Sequence, residues 1–329
     1  MRILITGGAG FIGYHLTKAL IEDDNEVTIV DNFSRGVGDI FLKELEDTGK
    51  VKTISMDLLD KDSIDNLGYD YDYIYHLAAI IGVQNVLNHS YDVLEKNVCL
   101  LINMIHFAQK QKNLKRLVFA STSEIYAGTL QFYDMTIPTP ETTPLTITPL
   151  EHPRTSYMLS KIYGEALLYQ SGIPFTIIRP HNFYGPRMGM SHVIPELLRK
   201  AYFEETGEEL EVYSVDHKRT FCYISDAIEI IIRLSKSQDA LGKSFNVGNE
   251  SPEVTIQTVA ETVLNVVDKN LTIKPMPVSP GSPTRRCPSM KKTKECIGYE
   301  GVVSLQEGIK KTFDWYKEYI FDGDVISSK

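Results

Sequence analysis

The chain has 329 residues, 43% of them hydrophobic, and 34 Lys and Arg against 43 Asp and Glu give a formal net charge of −9. An acidic protein with no run of Lys or Arg longer than two is not built to hold nucleic acid or an anionic membrane surface. Four cysteines (Cys99, Cys222, Cys287, Cys296) lack CxxC spacing and disulfide density, and no window approaches the roughly 18 apolar residues of a membrane span, so a soluble cytoplasmic protein without a metal is expected.

The first half alternates short β-branched runs with longer helical patterns. Residues 2–6, 26–31, 51–57, 71–79, 116–122 and 175–180 are apolar without strict alternation, which predicts parallel strands covered on both faces. The stretch between the first two carries Ile12, Leu16 and Leu20 on one helical face. This order predicts an α/β fold with a doubly wound, mostly parallel sheet and a smaller C-terminal α/β lobe. Residues 1–180, with a strand near 220–249, form the expected dinucleotide domain, and 181–219 with 250–329 the substrate lobe.

The N-terminal stretch MRILITGGAGFIG is a strand, then glycines at 7, 8, 10 and 13, then a helix. Glycine lets the backbone turn tightly and admit a pyrophosphate to its amides, and the helix N-terminus meets the negative charge. Asp31 ends the second strand about 20 residues on, where a carboxylate accepts ribose hydroxyls and repels a 2′-phosphate, so NAD is favoured over NADP despite nearby Arg35. Asp57 closes the third predicted strand, to meet the adenine edge or to cap the next helix.

The stretch 92–109 carries Leu94, Val98, Leu101, Met104, Ile105 and Ala108 together with Leu100 and Phe107, more apolar circumference than a one-sided surface helix needs. It is expected to pack on the sheet with one side and on a second subunit with the other, burial within one chain being the alternative. After the strand at 116–122 come Thr122, Ser123 and Glu124, at the sheet's carboxyl end where such folds bind ligands. Tyr157 and Lys161, four apart, share a helix face, where an ammonium beside a phenol favours the phenolate.

Arg187 has no carboxylate within five residues, so its partner is a distant acid or a bound anion. SFNVGN at 244–249 predicts a strand returning to the sheet, Thr255 caps a helix, and proline-rich 276–289 reads as a loop.

Taken together, GGAGFIG, Asp31, HLAA at 76–79, STSEIY, YMLSK and RPHNFYGPR resemble the extended short-chain dehydrogenase/reductase family, in its branch of nucleotide-sugar epimerases, dehydratases and decarboxylases. The resemblance implies that Gly7, Gly10, Phe11, Ile12, Asp31, Asn32, Asp57, Leu58, Leu77, Ala78, Ala79, Tyr157 and Lys161 hold NAD. It implies that Tyr157 takes the proton of the sugar 4-hydroxyl while Thr122 holds that oxygen. Glu124 then either deprotonates C5 for loss of the C6 hydroxyl or returns a proton to C5 after loss of a C6 carboxylate.

Ser123, Asn182, Arg187, His192, Val193, Arg219 and Arg285 or Arg286 fall where that family grips a nucleotide-diphosphate sugar, UDP, GDP, dTDP or CDP, leaning to GDP or UDP. A homodimer through the 92–109 helix and the Tyr157–Lys161 helix is expected from the apolar circumference of the first. The expected outcome is dehydration, decarboxylation or epimerisation of a 4-keto sugar. Alternatives are a net dehydrogenase that releases the 4-keto sugar and an NAD-binding sensor without catalysis.

Overall fold

The computed structural model describes residues 1–205, 207–278 and 282–323. Its first part runs β1 (Arg2–Thr6), α1 (Phe11–Glu22), β2 (Glu26–Asp31), α2 (Ile40–Asp47), β3 (Val51–Ser55), α3 (Lys61–Asp65), β4 (Tyr73–His76), α4 (Val83–Asn88), α5 (Ser90–Gln109), β5 (Arg116–Ala120), α6 (Ala127–Phe132), α7 (Pro153–Gln170) and β6 (Phe175–Pro180). Then follow β7 (Phe183–Tyr184), α8 (Val193–Phe203), β8 (Glu209–Tyr213), β9 (Lys218–Arg219), β10 (Cys222–Tyr223), α9 (Ile224–Lys236), β11 (Lys243–Val247), β12 (Val254–Thr255), α10 (Ile256–Val267), β13 (Thr272–Met276), β14 (Arg285–Arg286), α11 (Lys291–Ile297) and α12 (Leu305–Tyr316).

Seven strands form one sheet in the order β11-β6-β5-β4-β1-β2-β3, every pair parallel. This is the Rossmann arrangement that the alternating pattern predicts. The apolar runs are explained by burial on both faces: every residue of β4 and β5 is buried. The chain reverses its direction of sheet growth between β1 and β4, so the crevice at their carboxyl ends is where a ligand enters. The returning strand at 244–249 is β11, which completes the sheet beside β6.

The rest is held by very short strands. β9 is flanked by antiparallel β12 and parallel β14, β8 pairs with β13, and β7 with β10. The sequence reading overlooks β14, because prolines surround two residues that pair only through a distant partner; 279–281 of the same stretch lie outside the described residues. It also overextends β3, which ends at Ser55, and β4, which ends at His76. Beyond those points the backbone turns into the ligand crevice and leaves the ladder.

Helix α10 is capped by Thr255, whose hydroxyl accepts the Thr258 amide at 3.0 Å, as predicted. Helix α5 buries Val93, Leu100, Leu101, Met104, Phe107 and Ala108 and packs along α7. Leu94, Val98 and Ile102 on its outer side are only part-buried, and Tyr91 is 72% exposed.

Candidate active site

The turn after β1 fits a dinucleotide by its shape. Gly7 has φ +70°, and a Cβ there would come within 2.8 Å of the Ala78 amide nitrogen; a Cβ on Gly13 would lie 2.5 Å from the Gly7 carbonyl oxygen. Gly10 caps α1 without any side-chain hydrogen bond, which leaves the helix amides to an anion. Phe11 and Ile12 open that helix, part-buried. Asp31 is held by the Ala9 amide at 3.1 Å and the Phe33 amide at 2.9 Å, and burial raises its carboxyl. Each oxygen keeps a lone pair for a ribose hydroxyl.

Asn32 is exposed beside it, and its side chain accepts the Ser34 amide at 3.1 Å. Asp57 is exposed in the turn beyond β3, where it accepts the Leu59 amide; Asp60, not Asp57, caps α3. Leu58 is buried, and its carbonyl accepts from Asn103. Leu77, Ala78 and Ala79 line the exit of β4, where Asn97 clamps the chain through the Ile80 amide at 2.7 Å and carbonyl at 3.1 Å. Asn97 also reaches Ser160 on α7 at 3.4 Å.

Across the crevice, Thr122, Ser123 and Glu124 form a tight 3-10 turn after β5, with the Thr122 hydroxyl accepting the Glu124 amide at 3.2 Å. Tyr157 and Lys161 face it from α7. The Tyr157 hydroxyl bonds to Thr122, which pulls its phenol down, as does the charge of Arg35. Burial and the Glu124 carboxylate outweigh both, and the phenol sits above its ordinary value. Lys161, expected to favour the phenolate, is not among the groups that lower this phenol; Thr122 and Arg35 are. The Lys161 ammonium donates to the Ala120 carbonyl at 2.8 Å, lies 5.8 Å from the Tyr157 ring centre, and is itself brought down to about 7 by burial.

The substrate side is cationic. Arg219 and Arg286 are register partners on β9 and β14; burial and the repulsion of Arg286 bring Arg219 down to about 10. Arg219 donates to the Ser282 hydroxyl and the Pro283 carbonyl. Among the described residues the Arg286 side chain makes no hydrogen bond or ion pair; it feels the Glu124 carboxylate and the Arg154 cation. Asn182, Val193 and Arg219 line one cavity with Tyr213, His217 and Ser282, while His192 stands exposed at the start of α8. Two adjacent cations, neither in an ion pair among the described residues, fit a diphosphate.

Arg187 is a correction. It forms an ion pair with Asp39, both side chains 6% exposed, and its guanidinium stacks 4.2 Å from the Tyr14 ring centre. The distant acid is its partner. It ties the loop after β7 to the capping residue of α2 and is not spare for substrate.

Sequence reasoning missed two further site residues, Arg154 and Asn97, and noted Arg35 only for its closeness to Asp31. Arg154 donates to Glu124 at 3.1 Å and precedes Tyr157 by three residues, a spacing that places both on one helix face. Arg35 makes no hydrogen bond or ion pair among the described residues, lies near Gly82, and feels Tyr157. Asn97 left no signal, because a buried amide inside an apolar helix reads as a flaw in the pattern.

Beneath the site, Glu165 on α7 accepts from Ser121 at 2.6 Å and from Arg179 on β6 at 3.0 and 2.7 Å. Arg179 in turn donates to the Tyr126 hydroxyl at 2.7 Å, which donates to Asn246 on β11 at 3.0 Å. This buried chain joins the helix of Tyr157 to the turn of Glu124.

A glycine turn built for a dinucleotide, facing a Thr-Tyr-Lys group on a doubly wound sheet, agrees with what known proteins show. Residues 3–248 match the model of the NAD dependent epimerase/dehydratase family. The chain belongs to that family. The family member UDP-N-acetyl-alpha-D-glucosaminuronate decarboxylase of Bacillus cytotoxicus is 36% identical over 332 residues, covering 96% of this chain and 98% of that protein. UDP-glucuronic acid decarboxylase 1 of Danio rerio is 32% identical over 328 residues, covering 96% of this chain and 72% of that protein. The UDP-glucose 4-epimerase of Thermotoga maritima, solved with UDP-glucose, superposes with a TM-score of 0.82 at 25% identity, covering 97% of this chain and 99% of that chain. Like its family, the chain is an NAD-dependent enzyme of epimerase/dehydratase type. No described helix is long and apolar enough to cross a membrane.

Proposed function

We propose that the protein decarboxylates a UDP-linked uronic acid through a 4-keto intermediate. The observation that carries this reading is the carboxylate of Glu124 set among Tyr157, Arg154 and Arg286 at the carboxyl end of β5. Simple inversion at C4 needs no acid there; chemistry at C5 does. The two decarboxylase relatives support the uronate.

Bound NAD supplies the acceptor for the hydrogen that leaves C4 and gives it back at the end. Tyr157 takes the proton of the 4-hydroxyl, and Thr122, hydrogen-bonded to Tyr157, holds the same oxygen. The resulting ketone is β to the C6 carboxylate. The C5–C6 bond breaks, carbon dioxide leaves, and the electron pair passes into a C4–C5 enolate. Glu124 delivers to C5 a proton taken up from water, the ketone re-forms, and Tyr157 returns its proton to the C4 oxygen as that carbon is reduced, so the net change is one proton in and one carbon dioxide out.

In this reading Arg219 and Arg286 take the diphosphate, Asn182, Val193 and His192 surround the nucleoside, and Ser123 lies against the sugar. Residues 1–180 with the strand near 220–249 hold NAD, and 181–219 with 250–329 the sugar nucleotide. A cytoplasmic setting suits the free cysteines. The apolar outer stripe of α5 (Leu94, Val98, Ile102) with exposed Tyr163 of α7 supports a homodimer formed by these two helices.

The experiment is incubation with NAD and UDP-glucuronate or its N-acetylated counterpart, followed by mass spectrometry. Loss of carbon dioxide is expected. An unchanged mass with inverted C4, or loss of water, overturns the decarboxylase in favour of an epimerase or dehydratase.

A further inference from the structure

We propose that Arg154 is a positioning residue that aims Glu124 at C5, so that the C5 proton step and the C4 oxidation are separately breakable. The inference rests on the decarboxylase reading above and adds a residue to it. Arg154 is the second residue of α7, where Pro153 fixes the start of the helix, and Tyr157 and Lys161 follow three and seven residues later. All three therefore lie along one face.

The Arg154 Nη2 reaches Glu124 Oε1 at 3.1 Å, both side chains are 26% exposed, and the Glu124 charge is felt by Tyr157 and Arg286. One carboxylate oxygen is held and the other left to act. The pair also sets the local charge. Left without Arg154, the Glu124 anion would repel a second carboxylate, that of the incoming uronate. With Arg154 and Arg286 both facing it, Glu124 is outnumbered by cations, and a substrate anion is welcome beside it.

Because α7 and the Glu124 turn are joined underneath by the Glu165–Arg179–Tyr126 chain, the Arg154 reach is fixed from both ends. Losing the guanidinium frees the Glu124 side chain without moving Tyr157. A role that was merely structural would disturb both steps together.

The test uses the full-length enzyme with NAD and UDP-glucuronate in heavy water, comparing wild type, Arg154→Leu, Arg154→Lys, Glu124→Gln and the Arg154→Leu/Glu124→Gln double variant. Reduced nicotinamide is followed by its absorbance, and deuterium at C5 of the product by mass spectrometry. Arg154→Leu is expected to keep the rise in reduced nicotinamide and a KM within about threefold, while turnover and deuterium delivery at C5 fall about 10²-fold. Arg154→Lys restores part of the loss, and the double variant is no worse than Glu124→Gln.

Loss of the nicotinamide signal together with turnover in Arg154→Leu, or additive losses in the double variant, overturns the positioning role while the decarboxylase stands. A wild type that neither loses carbon dioxide nor takes deuterium at C5 overturns the decarboxylase and, with it, this role.

Discussion

The two halves of the cleft hold their ligands by different physics. On the cofactor side a single run of 13 residues does most of the work with backbone: a turn with Gly7 at φ +70°, amides at the head of α1, and a long sheet that keeps them still. In the reading proposed above, the substrate side relies on the charged side chains of Arg219 and Arg286, both on strands only two residues long. Backbone amides cost little to bury when their geometry is fixed, whereas paired arginines repel each other and are pushed away from charge by burial, as Arg219 is. A rigid half therefore suits a constant ligand, and a half lined by adjacent buried cations suits an anion.

That contrast can be broken at its joint first. Tyr157→Phe removes the group both halves share, and turnover should fall about 10³-fold with binding of NAD and sugar nucleotide both retained; calorimetry that showed either binding lost would make Tyr157 a binding residue. Next, Gly7→Ala places a methyl against backbone at 2.8 Å in a left-handed conformation. It should weaken NAD about 10²-fold and leave the affinity for the sugar nucleotide within threefold, roughly the scatter of such contacts, as competitive titrations would report.

Arg219→Ala makes the reverse cut. The KM for the sugar nucleotide should rise about tenfold, the scale of a lost charge-assisted hydrogen bond, with NAD affinity unchanged. A last effect is in stability. Burial depresses Lys161 from 10.5 to about 7, so between those values the unfolded chain binds the proton that the folded one refuses. The depressed group costs nothing above 10.5, opposes folding increasingly as pH falls through the window, and adds no further penalty below about 7. Urea unfolding of Lys161→Met against wild type should show a gap that closes as pH rises across that window; a gap independent of pH would mean that Lys161 stays charged when folded.

The same contrast explains what the sequence made legible. The sheet, the NAD loop and Asp31 follow from local pattern, since each is contiguous and each obeys a spacing rule. Thr122, Glu124, Tyr157 and Lys161 were found because strand ends and i,i+4 spacing carry meaning. Arg187 stayed open between a distant acid and a bound anion because its partner Asp39 lies 148 residues away, and no local pattern reports a buried ion pair of that reach. Arg154, at i−3 from Tyr157, was within reach of the helix-face argument but pairs with an acid 30 residues earlier. Strand β14 escaped because its two residues pair only with β9.

The buried Glu165–Arg179–Tyr126–Asn246 chain has an evolutionary corollary. It bolts the catalytic helix, the acid-bearing turn and two sheet strands into one chassis, so the distance between Tyr157 and residue 124 does not drift when surface loops change length. New products are then reached by exchanging the tools mounted on that chassis, such as the side chains at 124 and 154, and not by reshaping the frame.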